Sequence, residues 1–495
     1  MDASQHEARI AQLELRLAEL ERDNQRLRAD KQRLEAKVER LTERLAQYEP
    51  EVRREGTSRE SESERPAVAS DYSLDAETKR RQRRKRRKKS PGRRPTELKA
   101  LQAEDLRDVY PEGVPRADCD LVRRRVVWRL ENGRAMLVEY WIYAGADGKE
   151  PRIPGVTPRC EYGIEILVVL AFLVYIIGIS LDKGCAVLRF FCQLPLSKSQ
   201  ADALLRQLAK HWEGEFETLC QLLAHAAVVA MDETGWNVGG EKCSLWAFAS
   251  QLQRVFLFGC RKDDDALDKI LPPEVFDGIG VSDDAAVYRD RFAQAQKCWA
   301  HLLRKAIKLA LLYPRKKKYQ RFLDRLLELY YDAKRAAADG RLGEAGRESR
   351  VADLEGRLCD LCRPYWRETT PDMKPHERDF TNLVNELVRL LLAEELFTFV
   401  LIPELVEPTN NGMERQLRSP AQDRKAGRIN QTAAGAHRRS VIVSVLESLR
   451  ANLETFNLET VLQEVGHWMR SGISLFARQW QAMQEATAAA APNTS

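Results

Sequence analysis

Three acidic residues in three different settings carry the chemistry this chain can do: Asp232 in AVVAMDETGW, Asp283 in GIGVSDDAAVY and Glu414 in PTNNGMERQLR. The first two follow short apolar runs of β type, and the third opens a helix. Carboxylates gathered from separate elements suit two-metal phosphoryl transfer, because hard cations such as Mg²⁺ or Mn²⁺ take oxygen ligands and leave positions for phosphate and water. Two such ions activate a water or a 3′-hydroxyl and stabilise the leaving oxygen, so no side chain need become a covalent nucleophile. A single aspartate is ordinarily a cap or a surface ion pair; three in one matching element order point to a nucleic-acid-cutting enzyme.

The elements that must position them begin near residue 226, where the pattern turns α/β. AAVVAM reads as a strand ending at Asp232, SLWAFASQ and RVFLFGC as an antiparallel hairpin, DDALDKIL as a short helix and GIGVS as a strand ending at Asp283. A helix over 286–293, a strand over 297–299 and a helix from about His301 follow. This order is that of a ribonuclease H-like fold, with the two aspartate strands side by side. Residues 306–401 are charged, Leu-rich and helical, and read as an insertion. The core resumes over 402–455, where Pro408 and Asn410 signal a helix start and Glu414 reaches the aspartates from a helix packed on the sheet. Asn410 and Asn411, four and three residues before Glu414, share its helical face and can orient it or contact substrate. Arg415, Arg418, Arg424 and Lys425 offer phosphate contacts, the arginines bidentately. A last helical stretch from Arg438 to about Gln484 runs from the end of the core into a C-terminal segment 456–495, a helix followed by an Ala-rich tail expected to be disordered; His437, beside Arg438 and Arg439, reads as part of a basic face.

The front half reads as partner-binding equipment. Residues 1–49 carry a heptad register with Leu13, Leu20, Leu27, Leu34 and Leu41 at d, and Asn24 at an a position favours a parallel, in-register homodimer. Residues 50–95 form a linker poor in apolar groups. It ends in a basic arm in which 12 of the 16 residues from Lys79 to Arg94 are Lys or Arg, Arg83, Arg84, Lys85, Arg86, Arg87, Arg93 and Arg94 among them. With a formal charge of only +6, the basic balance is local, as a DNA-binding arm requires. Residues 96–160 are a small β-rich domain with Gly-containing turns, and 161–225 a helical region for DNA binding in which Ser197 or Ser199 caps SKSQADALLRQL. The apolar run 166–179 is too short for a bilayer and reads as a core helix rather than a membrane span. Ten cysteines without regular pairing, and no signal segment, predict a reducing cytoplasm with nucleoid association.

MDETGW, SDDAAVY, CWAHLLRK and NNGMERQLRSPAQDRKAG resemble the catalytic-domain motifs of the insertion sequence 66 family of bacterial DDE transposases, over roughly residues 161–455. The resemblance implies a DNA transposase that binds the terminal repeats of its element, nicks their 3′ ends and joins them to target DNA, with small accessory proteins encoded beside it. It implies a metal-binding triad of Asp232, Asp283 and Glu414, and a motif after the second aspartate comprising Trp299, His301, Arg304 and Lys305, whose roles are to support the site or contact substrate. Asp283 is preferred to Asp284 because Tyr288 then falls at the family's tyrosine position, five residues on; Asp284 remains the alternative. Relatives often carry two CxxC pairs before the helical region, whereas here only Cys119 and Cys160 stand there, so no zinc is expected, and Cys359 and Cys362 read as packing residues. Two other readings stay open: a structure-selective nuclease on the same fold, and a dimeric DNA-binding protein that is catalytically inert.

Overall fold

In the computed structural model the protein is described from Pro95 to Ala490. The heptads of 1–49 and the basic arm with Arg83, Arg84, Lys85, Arg86, Arg87, Arg93 and Arg94 lie outside these residues. A first, three-stranded sheet is built from β1 (Asp105–Val109), β2 (Asp120–Glu131) and β3 (Arg134–Ala144), in the order β1-β3-β2. β2 and β3 are joined by Asn132 and Gly133, both at positive φ, 51° and 77°. That geometry matches the twist of an antiparallel hairpin, and Asn-Gly adopts it at little cost. β1 adds in parallel to β3, and Val127, Val138, Tyr140, Ile142, Ile153 and Val156 form the small core of this sheet.

The helical region follows. α1 (Ile164–Ala171) is buried almost all round and runs on into a π-helical turn over Phe172–Ile176, so the apolar run is a core helix. No helix among the described residues is long and apolar enough to cross a membrane. Glu165 on α1 forms a buried ion pair with Arg129 of β2, Oε1 to Nε 2.7 Å. α2 (Leu181–Cys192) leads to α3 (Lys198–Ala224), which opens with a capping box between Ser197 and Gln200. Each of those two residues satisfies an otherwise orphan backbone N–H of the other, which makes Ser197 the cap.

The second sheet holds β4 (Val228–Gly235), β5 (Ser244–Ala249), β6 (Arg254–Cys260), β7 (Ile279–Ser282) and β8 (Gln294–Lys297), in the order β6-β5-β4-β7-β8. β4, β5 and β6 are antiparallel neighbours, while β4 pairs with β7, and β7 with β8, in parallel. Gly280 in β7 is required by close approach: a Cβ there would run into the Phe292 ring. The expected helix over 286–293 is absent; a 3₁₀ turn, Ala286–Tyr288, is all that forms, and β8 starts at Gln294 rather than Lys297. Parallel β7 and β8 leave too short a connection for a full crossover helix.

α4 (Trp299–Leu312), α5 (Lys317–Ala338), α6 (Glu344–Cys362) and α7 (Pro375–Leu392) carry the helical stretch between the two parts of this layer, around Leu302, Leu326, Leu358, Leu383 and Leu387. α8 (Asn411–Lys425) packs Met413, Leu417 and Pro420 inward, an i, i+4, i+7 stripe against β4 and β5. α9 (Ala433–Asn452) closes the β6 edge of the sheet. Ser440, Ser444 and Ser448 of α9 accept hydrogen bonds from the backbone N–H groups of Phe258, Phe256 and Arg254, each at 2.9 Å. Four helical residues rise about 6 Å and two strand residues about 6.6 Å, so a serine every fourth position meets every outward N–H of the edge strand. The remaining chain is two helices, α10 (Leu458–Ser471) and α11 (Leu475–Ala490), not one stretch; the Ala-rich segment is helical to Ala490.

Candidate active site at the junction of β4, β7 and α8

β4 pairs with β7 through Val228↔Ile279, Val229↔Gly280 and Ala230↔Val281. Continued by two residues, that register sets Asp232 opposite Asp283. Val228 and Ala230 pack with Ile279 and Val281 against the helical core, so by strand alternation both aspartates project on that same face. Asp232 lies within β4 rather than at its end, because β4 continues past the point where β7 stops and pairs there with β5 alone. Asp283 is the first residue after β7 and turns back on itself, its Oδ1 accepting from Ala285 N at 2.9 Å. Glu414 is in the first turn of α8.

What fixes α8 over the strands is Asn410. It is buried, its Nδ2 donates to Met231 O at 2.7 Å, and its backbone N–H points to Cys298 Sγ at 3.1 Å. It therefore stands just before the helix and ties it to the residue preceding Asp232, while exposed Asn411 is the first helical residue. At the far end of α8, Arg424 donates to Thr234 Oγ1 at 3.1 Å, binding the helix to the end of β4. Asp423 is buried against Arg439, whose guanidinium sits over the rings of Trp236, Phe258 and Tyr175.

Electrostatics follow from this crowding. Burial, then Asp283 and Glu233, push the Asp232 carboxyl up to about 7, with a smaller contribution from Glu414. A backbone hydrogen bond from Glu233 N opposes them. Glu414 is held by Arg304, and His301 Nε2 lies 3.6 Å from its Oε1. Burial and Arg304 depress the His301 pKa, so the imidazole is neutral near pH 7. Among the described residues no three His, Cys, Asp or Glu side chains converge tightly enough to hold a metal ion. Asp283 and, more weakly, Glu414 bear on Asp232, while the Glu414 carboxylate is engaged by the Arg304 guanidinium.

The other expected site residues separate into two groups. Trp299 is fully buried and donates its indole N–H to Leu396 O at 2.7 Å, which makes it a packing residue rather than a substrate contact. Lys305 pairs with Glu386 at 2.6 Å, so it, Arg304 and Arg424 already have intramolecular partners. Arg415, Arg418 and Lys425 are exposed on α8 and have no ion-pair partner among the described residues. His437 is not on a free basic face: its Nε2 meets Glu213 at 2.7 Å, and Arg438 pairs with Asp202.

Several pairings around the site had no local sign in the sequence. Asp284 is paired with Arg289 and with Arg389 of α7, while its Oδ1 is buried without a partner. Lys297, 1% exposed, donates to Ser282 Oγ at 3.3 Å and Tyr288 O at 3.2 Å, bracing the turn after Asp283. Glu233, adjacent to Asp232, accepts from the Tyr288 hydroxyl and pairs with Lys262. Cys119 and Cys160 are free thiols, as are Cys359 and buried Cys362 on α6.

No curated protein matches this chain. The family model for "Transposase IS66 family" matches residues 159–438, more than half of the 495. That span contains both aspartate strands, the helical insertion and the whole of α8, and the chain therefore belongs to the IS66 family of transposases.

Proposed function

We propose that the protein is a DNA transposase whose ribonuclease H-like core uses Asp232, Asp283 and Glu414 to cut the 3′ ends of its element and join them to target DNA. The observation that carries this reading is the β4–β7 register, which sets Asp232 opposite Asp283 with α8 anchored beside them by Asn410. The sheet order, three antiparallel strands followed by two parallel ones, supports the fold assignment. Three hard oxygen donors, one of them driven toward protonation by burial and then by its acidic neighbours, suit a divalent cation, Mg²⁺ or Mn²⁺. When bound, two such ions supply Lewis-acid activation of the attacking oxygen and charge neutralisation at the phosphate.

The chain's own residues do the rest. Asp283 is favoured over Asp284 as the ligand because Asp284 is already neutralised by two arginines, whereas Asp283 bears directly on Asp232. Arg304 holds Glu414 until a DNA phosphate competes for the guanidinium, which couples substrate binding to assembly of the triad. Exposed Arg415, Arg418 and Lys425 extend phosphate binding along α8. Neutral His301 beside Glu414 orients that carboxylate. The heptads of 1–49 support action as a dimer, and the arm at 79–94 supports sequence-independent DNA contact.

The test incubates the full chain with Mn²⁺ or Mg²⁺, labelled DNA bearing the inverted repeats of its own locus and a target plasmid. Joined products should appear with the wild type and vanish in Asp232→Asn, Asp283→Asn and Glu414→Gln, with end binding retained in all three. Cleavage without joining would establish the nuclease instead, and strand transfer by any of the three variants would overturn the assignment.

A further inference from the structure

An arginine-lined cleft of about 790 Å³ opens between β2, the start of the described chain and the loop 150–161. Its cations are Lys99, Arg123, Arg124, Arg125, Arg152 and Arg159, and the acidic residues facing them are Glu150 and Glu161. Two of the six are committed to the fold: Arg125 donates to Cys160 O at 2.7 Å, and Lys99 pairs with Glu161 at 2.8 Å. Arg123 meets Glu150 only at 3.4 Å with both side chains about half exposed, an arrangement of little energetic weight. Arg124 lies over the Trp141 ring at 4.8 Å, its guanidinium presented at the surface. Arg152 and Arg159 are exposed and have no ion-pair or hydrogen-bond partner among the described residues.

Cations on β2 alone would have a plain explanation, since β2 is an edge strand and charge there discourages pairing with another chain. Edge protection does not account for Arg152 and Arg159, which arrive from a different segment and face the same cleft. Arg159 moreover holds φ at +60°, a left-handed conformation that a non-glycine residue seldom adopts. Pro95 and Thr96 line the cleft, and the basic run of the sequence ends at Arg94, one residue earlier.

We propose that this cleft is a second polyanion site, separate from the carboxylates, that grips the phosphate backbone of duplex DNA without reading its sequence. The inference rests on the transposase reading, and assigns to the small β-sheet the task of holding DNA. Guanidinium groups at Arg123, Arg152 and Arg159 neutralise phosphates and release condensed counterions, so binding through them weakens as salt rises.

The experiment compares the full chain with Arg123→Gln/Arg152→Gln/Arg159→Asn, Asn being tolerated at positive φ, and with the all-lysine triple variant. Binding to a labelled duplex of arbitrary sequence is measured across a salt series, with thermal melting to establish folding. If each of the three meets one phosphate, the slope of log K against log salt falls by about 2.7 in the neutral variant. Between roughly 50 and 200 mM salt the wild type then loses about 40-fold more affinity than that variant. The lysine variant, which keeps the charge, retains the wild-type slope. An unchanged slope and affinity in the folded neutral variant, with the wild type binding DNA, overturns the cleft and leaves the transposase reading standing. Loss of slope in the lysine variant as well assigns the arginines a structural role and overturns the proposal, and a wild type that binds no duplex at any salt removes both readings.

Discussion

Replacing Arg439 by methionine should loosen the helix that carries Glu414, although Arg439 lies far from that carboxylate in sequence. Asp423, near the end of α8, has 5% of its side chain exposed and Arg439 6%. Take away the guanidinium and the remaining partner is Arg428, 3.2 Å from Asp423 Oδ1 but 42% exposed. Breaking one half of a buried pair costs about 3–5 kcal/mol, because the other charge stays behind without compensation. Arg428 and protonation of Asp423, whose pKa burial already raises, relieve part of that, so a loss of about 3 kcal/mol is expected. Methionine keeps apolar contact with Trp236, Phe258 and Tyr175 while forfeiting the cation–π attraction. The double variant Asp423→Leu/Arg439→Met removes both charges and, since apolar substitutes for buried pairs are often neutral or stabilising, should return to within about 1 kcal/mol of wild type. Chemical denaturation of Asp423→Leu, Arg439→Met, the double variant and the wild type completes the cycle, with Mn²⁺-dependent strand transfer measured below the unfolding range. A loss under about 1 kcal/mol in Arg439→Met, or a double variant no better than the single, would refute the argument that this pair seats α8.

In metal-free buffer, a carboxyl at about 7 rather than 3.8 keeps a proton in the folded state that the unfolded chain has released. Wild-type stability then falls as pH rises from about 4 through 7, by up to about 4 kcal/mol; Asp232→Asn escapes this, so its advantage in denaturation should widen with pH, and an equal gap at pH 5 and pH 8 would contradict the crowding of carboxylates. Ser444→Ala strips the buried Phe256 N–H of its acceptor and should cost about 1–3 kcal/mol, read by denaturation and by faster exchange of that amide; a neutral outcome would show the edge strand does not depend on α9. Arg304→Gln frees Glu414 from a half-exposed ion pair worth at most about 1 kcal/mol, so Mn²⁺ should bind up to about fivefold tighter without DNA by calorimetry, and weaker binding would mean Arg304 does not compete with the cation.

Membership of a transposase family and the β4–β7 register constrain the chemistry from independent directions. The motif in sequence says which carboxylates to consider; the register gives two of them a common face. In the proposed function the Arg304–Glu414 contact would add a dependence on substrate, because the guanidinium that holds the glutamate is of a kind that binds phosphate.

Much of the local structure was legible in the sequence because its causes are local. Asn132-Gly133 specifies a hairpin, Ser197 or Ser199 marks a helix start, and alternating apolar residues mark β5 and β6, each through neighbours within a few positions. The acidic residues also stood out in the sequence, Asp283 just after an apolar run and Glu414 near a helix start, whereas Asp232 sits within its strand rather than at the end expected for it. What only tertiary structure decided is which charges meet. Asp284 is neutralised by Arg389 from a helix about a hundred residues away, Lys305 is taken by Glu386, Trp299 is sealed in the core, and Asp232 lies inside its strand because β5 continues alongside after β7 has ended. Propensity and periodicity depend on adjacent side chains and survive in the linear text. Ion-pair choice, burial and strand length depend on which distant segments pack together, and that information exists only once the chain has folded.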